Sequence, residues 1–277
     1  MPRSRPDPTL VTPEVLRAWQ LPEPTGGKNA RGSVLVIGGS TETLGAVLLA
    51  AEAAMRAGVG KLQVATAESV AGLAAQSLPE ALVRALPETA AAVLIGPGMA
   101  DKTATQAFGE RLLPSLRGPV ALDALALACV TADATCLGHL GGNVVLTPNP
   151  TEIAYCLHVD EAEVEDDPAG AAVELARLAQ AVVGLGGATS WIAAPDDRLW
   201  QDDSGGAGLG VSGSGDVRAG ITAGLLARGA DPAQAAVWAA YLHGRTGERL
   251  ASSVGRLGFL ARELPAEVPR ALAEITS

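Results

Sequence analysis

The sequence predicts an α/β protein, with a mostly parallel sheet covered by helices on both faces. Short β-branched runs alternate along the chain with Ala- and Leu-rich stretches of helical length, the pattern of strands joined by helical crossovers. Most of these runs end at a turn, after which a helix begins. Hydrophobic residues make up 48% of the 277 but aromatic ones only 3%, so Ala, Val and Leu must fill the interior, which suits helices packed closely on a sheet.

Val34-Leu35-Val36-Ile37 is the first run; it ends at Gly38-Gly39-Ser40, and a helix follows from Gly45 to Ala57, closed by Gly58. Leu62 to Thr66 is the next strand, with a helix from Ser69 to Leu78. Ala92 to Ile95 runs into Gly96-Pro97-Gly98 and a helix reaching Leu116. Pro119 to Leu122 leads into Asp123. Val144 to Leu146 leads into Thr147-Pro148-Asn149-Pro150, with Thr151 placed to cap a helix that carries Glu152. Pro168 to Ala181 is helical by composition, and Ser190 to Ala193 with Arg198 to Trp200 forms a hairpin across Pro195-Asp196-Asp197. The last third is helical, over Gly220 to Arg228, Asp231 to Leu250 and Ala266 to Ile275. No linker interrupts residues 28–277, so one domain is expected there, behind an N-terminal extension over residues 1–27.

With 30 acidic against 20 basic residues, the net charge of −10 opposes nucleic acid as a partner. Cys129, Cys136 and Cys156 are an odd number without metal-ligand spacing, which argues against a disulfide framework or a zinc site and for a reducing, cytoplasmic setting. No apolar run reaches the roughly 18 residues of a membrane span, and the N-terminus has no apolar signal core.

Ligands of such sheets sit beyond the carboxyl ends of the strands, where every glycine loop here is expected. Gly213-Ser214-Gly215-Asp216 at a helix start offers backbone N–H groups and a positive helix end, a cradle for phosphate that needs no lysine. Asp216 beside that anion reads as a proton acceptor or cation holder, or as a residue favoured only by the helix dipole. Gly96-Pro97-Gly98 is a ligand loop or a turn. Gly184 to Thr189 suits adenosine phosphates or a plain strand connection. Asp123 and Glu152 could orient a cation or cap a helix. His139, His158 and His243 are scattered and read as structural, and no Ser/His/Asp or Cys/His set stands out.

Several segments, in order, resemble the ribokinase-like family of ADP- or ATP-dependent NAD(P)H-hydrate dehydratases. They are Lys28 to Ser40, Arg56-Ala57-Gly58-Val59-Gly60, Ile95-Gly96-Pro97-Gly98, Thr147-Pro148-Asn149-Pro150, Gly213-Ser214-Gly215-Asp216 and Tyr241-Leu242-His243-Gly244. The resemblance implies a three-layer α/β/α ribokinase-like fold and a hydro-lyase of metabolite repair that removes water from hydrated NADH or NADPH. It implies Mg2+, ADP or ATP as co-substrate, and a homotetramer. By position, Ala46, Gly98, Asn149 and Asp216 would face the hydrated cofactor. Gly186, Gly187, Ala188, Thr189, Ser190, Gly213, Ser214 and Gly215 would contact the nucleotide. Asp216 would be the catalytic residue, and Glu152 would help organise the metal indirectly.

The chain departs from that pattern. Gly186 stands where lysine is usual, Asn149 for histidine, Thr151 for glycine, Leu125 for a second aspartate and Ser212 for a glycine. Losing the lysine predicts a nucleotide affinity weakened roughly ten- to hundredfold. Asn149 to Glu152 also fits the Asn-x-x-Glu pattern of sugar and vitamin kinases of the same superfamily. The alternatives are therefore a small-molecule kinase and a catalytically weakened nucleotide-binding paralogue.

Overall fold

A computed structural model describes residues 6–23, 25–84 and 90–276. The strands are β1 (Thr9–Leu10), β2 (Ser33–Ile37), β3 (Lys61–Ala65), β4 (Ala81–Val83), β5 (Ala92–Ile95), β6 (Val120–Leu122), β7 (Val144–Leu146), β8 (Val182–Leu185), β9 (Ser190–Ala193) and β10 (Leu199–Asp202). The helices are α1 (Pro13–Ala18), α2 (Leu44–Arg56), α3 (Glu68–Ser77), α4 (Lys102–Leu112), α5 (Ala128–Ala132), α6 (Pro150–Leu157), α7 (Glu161–Asp166), α8 (Pro168–Ala179), α9 (Ser214–Ala227), α10 (Pro232–Ser253) and α11 (Leu264–Thr276). They build one sheet in the order β1-β10-β9-β8-β7-β6-β5-β2-β3-β4. Only β9 runs antiparallel to its neighbours, through the expected hairpin with Trp200 opposite Ile192.

The sheet separates two apolar cores. One joins Val34, Val36 and Leu94 to the buried faces of α2, α9, α10 and α11; the other joins Leu35, Ile95 and Leu146 to α6 and α8. Alternate residues of one strand thus feed opposite cores, as the pleat requires. The result is the three-layer α/β/α ribokinase-like arrangement. Its scarcity of aromatic residues has a local explanation where α9 lies on α2. A Cβ at Gly220 would stand 2.1 Å from the Ala50 carbonyl oxygen, and one at Gly224 would stand 2.6 Å from that of Ala54. Only bare backbone lets the two helices come that close, and α9 is buried all round as a consequence.

The described part of the N-terminal extension packs on this scaffold. Thr9–Leu10 adds an edge strand to β10, Trp19 stacks on Trp200 at 5.6 Å, and its carbonyl accepts from Trp238 Nε1 at 2.9 Å. Sequence periodicity missed β1 and β4, two and three residues long and too short to show a period, and β8, whose Gly184 and Leu185 read as the start of a loop but lie in the strand. Among the described residues, no helix is long and apolar enough to cross a membrane.

Candidate active site

The glycine loops lie where the parallel strands end, and the sheet brings them together. Helix α9 begins at Ser214, inside the glycine segment that the sequence places at a helix start, so Asp216 sits in its first turn. The N-cap Gly213 has φ +90°, and a Cβ there would meet Leu49 Cδ1 at 2.6 Å, so position 213 demands glycine. Gly215 differs: a Cβ there would meet nothing within 4 Å, and the residue is exposed. The N–H groups of Gly215 and Asp216 lie in the turn where no helix carbonyl is available to them, beneath that open space.

Three carboxyl groups converge beside this loop. Asp123, at the end of β6, is buried and accepts from Thr147 Oγ1 at 2.6 Å; burial pushes its carboxyl up to about 8, and Glu152 and Asp216 push it the same way. Asp216 is pushed up to about 6 by burial and by Glu152. Glu152 is raised by burial, partly offset by its bond from the Asn149 N–H and by the charge of Arg218. Burial thus raises all three carboxyls, repulsion among them adds to it at Asp123 and Asp216, and a cation brought in with a ligand would favour their ionised forms.

Asp123 carries a stability prediction. Because its folded carboxyl titrates far above its ordinary 3.8, the folded chain keeps a proton that the unfolded chain releases, and this contribution is lost as pH rises through about 8. Asp123→Asn keeps an oxygen for the Thr147 hydroxyl and removes the titration. Its Tm is expected to exceed the wild type's at about pH 9 and to approach it at about pH 5, by scanning calorimetry. An equal difference at both pH values would mean that the carboxyl is not charged at the higher one.

The capping of α6 corrects one expectation. Asn149, not Thr151, is the N-cap: its Oδ1 accepts from the Glu152 N–H at 2.9 Å, and Glu152 Oε2 accepts from the Asn149 N–H at 2.9 Å. Pro150 favours the first helical position, which leaves the cap to the residue before it. The Thr151 hydroxyl donates instead to Glu161 at 2.8 Å. Asn149 and Glu152 thus hold each other at the mouth of the site.

The remaining expected residues fall into two groups. Gly186 follows β8, and its N–H donates to the Pro148 carbonyl at 3.0 Å, which ties the 186–190 turn to the Asn149 segment. Farther along that turn, Thr189 donates to Asp203 at 2.8 Å. On the other side, Gly98 has φ +71°, and a Cβ there would stand 3.0 Å from the Ala46 side chain and 2.3 Å from the Thr43 carbonyl. The Thr43 hydroxyl donates to the Gly98 carbonyl at 2.6 Å. A cleft of about 740 Å³ opens beside this contact, lined by Gly39, Ser40, Thr66, Met99 and Asp101 among others. Asp216, Asn149 and Gly186 do not line it.

Comparison with known proteins assigns this arrangement. A sequence model described as NAD(P)H-hydrate dehydratase matches residues 34–270. The chain belongs to the NAD(P)H-hydrate dehydratase family. It is 44% identical over 277 residues to the ADP-dependent (S)-NAD(P)H-hydrate dehydratase of Xanthomonas campestris pv. campestris, covering 94% of each chain. It is 36% identical to a bifunctional NAD(P)H-hydrate repair enzyme of Moorella thermoacetica, of which it spans 53%. A crystal structure of the ADP/ATP-dependent NAD(P)H-hydrate dehydratase from Bacillus subtilis, co-crystallized with ATP/Mg2+, matches with a TM-score of 0.85 at 33% identity, covering 95% of this chain and 97% of that one.

Within this family member, sequence reasoning missed two contacts. His243 was grouped with scattered structural histidines, and no Ser/His set was expected. In the fold, its Nε2 lies 2.8 Å from Ser214 Oγ, at the head of the anion loop. Burial and the Arg218 charge push its ring down to about 3, so it is neutral and holds Ser214 in place. Ser214 itself is buried, so this pair presents no nucleophile to the cleft. The second is Arg218, buried and donating from Nη2 to the Gly184 carbonyl at 2.5 Å. Neither contact has a sequence signal beyond the Tyr241-Leu242-His243-Gly244 segment, because α9, α10 and β8 are far apart along the chain.

Proposed function

We propose that this chain is an ADP- or ATP-dependent dehydratase that removes water from hydrated NADH or NADPH. Its family membership supports the reaction class, and the observation that carries the residue roles is the half-buried Asp216 carboxyl set beside the open Gly215 turn. Hydroxide is a poor leaving group, so the ring hydroxyl must first be converted into a better one. Its oxygen attacks the terminal phosphorus of the nucleotide while the bond to the departing nucleotide breaks, and Asp216 takes the hydroxyl proton. The carbon–oxygen bond then breaks, phosphate leaves, and the ring regains its double bond as the neighbouring carbon loses a proton.

The first-turn amides of α9 meet the charge on the transferred group, a role worth several kcal/mol in such anion holes. The 186–190 turn holds the nucleotide, and Ala46 and Gly98 form the wall against which the hydrated ring lies. Raised carboxyls at Asp123, Glu152 and Asp216 suit a divalent cation nearby, although among the described residues no group of three metal-ligating side chains could cage one. Mg2+ bound to the nucleotide phosphates, with Glu152 facing it, fits this donor set and would offset the phosphate charge. The free Cys129, Cys136 and Cys156 support a cytoplasmic setting.

The test is spectroscopic. Purified protein with Mg2+, hydrated NADH or NADPH and ADP or ATP is expected to restore the near-ultraviolet absorbance of the reduced nicotinamide and to release free phosphate. No recovery with either nucleotide would overturn the proposal, and a stable phosphorylated product would make the chain a kinase instead.

A further inference from the structure

A cation is expected near the nucleotide, yet position 186 carries glycine. We propose that Arg218, reaching across from α9, supplies the fixed positive charge that binds the nucleotide phosphates in this chain. The inference rests on the nucleotide reading above and names the residue that makes it work without a lysine at 186.

The geometry is specific. A Cβ placed on Gly186 would stand 2.8 Å from Arg218 Nη1 and 3.0 Å from Cζ, so the guanidinium fills the space where a side chain at 186 would begin. A side chain at 186 would therefore push the guanidinium out of this position. The glycine is what lets the guanidinium come up against the nucleotide turn. Arg218 is only 8% exposed, it sits in the first turns of a helix whose dipole disfavours a cation, and removing its charge from water is costly. Its structural bonds do not offset that cost. Of its five N–H donors, the single bond among the described residues runs from Nη2 to Gly184. Asp123, Glu152 and Asp202 lie near enough to act on it through their fields, but none of them is hydrogen-bonded to it.

A planar fork with unused donors, held against the 186–190 turn, matches a phosphate, which accepts two parallel N–H bonds. The guanidinium also sits among carboxyl groups whose repulsion of an incoming di- or triphosphate has to be met by something other than the net charge of −10. With Arg218 in this role, the missing lysine at 186 costs the site no cation, because the neighbouring helix supplies one.

Isothermal titration with Mg2+ and ADP, and steady-state kinetics on hydrated NADH, test it with three variants. Arg218→Leu is expected to raise the Kd and KM for ADP about ten- to hundredfold, the size of a lost charge-assisted contact, while the KM for the hydrate moves less than about threefold. The double variant Gly186→Lys/Arg218→Leu, which puts a cation back through the vacated space, is expected to recover most of that loss. Gly186→Ala keeps the arginine but pushes it away, and about a fivefold loss of ADP affinity is expected. A folded Arg218→Leu chain that binds ADP within about threefold of the wild type would overturn the inference. If Arg218→Leu does not fold, unchanged ADP affinity in Gly186→Ala does the same. Wild-type protein that binds neither ADP nor ATP would overturn the nucleotide reading itself, a result these variants cannot imitate.

Discussion

Asp216→Asn is expected to cut turnover about 10²- to 10⁴-fold, the usual contribution of a positioned proton acceptor, while ADP binding stays nearly intact. Asparagine has the same shape and still suits the first turn of α9, but it cannot take a proton. Wild-type kcat/KM is expected to rise with pH and to fall away below about 6, because burial and Glu152 raise this carboxyl and only its ionised form accepts the proton. The variant should lack that acid limb. It should also be no less stable than the wild type at neutral pH: a carboxyl raised in the folded state contributes stability that is lost as pH rises through about 6, and asparagine removes that loss. Calorimetry beside the kinetics separates a lost proton acceptor from a damaged fold. Turnover above about a tenth of the wild type's would remove Asp216 from the proposed step.

Gly215→Ala carries the second large effect. Within the protein a methyl group at this position meets nothing within 4 Å, and alanine is about 1 kcal/mol better than glycine inside a helix, so Tm is expected to hold or rise. That methyl would stand over the two first-turn amides, where an anion has to approach closely. Turnover is expected to fall about 10²-fold with a raised KM for the nucleotide, the size seen when an oxyanion donor is lost. Gly213→Ala is the contrast. At φ +90° and with Leu49 Cδ1 2.6 Å from the new Cβ, it should lower Tm as well as activity. Equal behaviour of the two variants in both assays would mean that the open face of Gly215 is not where the phosphate lies.

Much of this site was legible in the sequence because its parts are local. Glycine and proline next to an apolar run mark turns and helix starts locally, and the Gly213 to Asp216 loop, the Gly98 turn and the Asn149-Pro150 helix start all sit where those signals put them. The capping of α6 was misread by two residues because Thr151 and Asn149 are both good caps. Only the proline between them, fit for the first helical position, decides which is used. Helix α9 starts within the Gly213 to Asp216 segment, as the sequence predicts, although Gly220 and Gly224 inside it suit loops as well as helices. The bare backbone of α2 against Gly220 and Gly224 makes them helical.

The sequence by itself determined the α/β alternation, the largely apolar interior and the glycine loops at the strand ends, since each depends on residues within a few positions of one another. Tertiary structure alone decided that Ser214 would meet His243, that Asp123, Glu152 and Asp216 would come near enough to act on one another, and that the Arg218 guanidinium would take the space left by Gly186. Those meetings depend on the order of strands in the sheet and on how closely α9 settles on it, and hydrophobic periodicity records which face of an element is buried but not which distant side chain it is buried against.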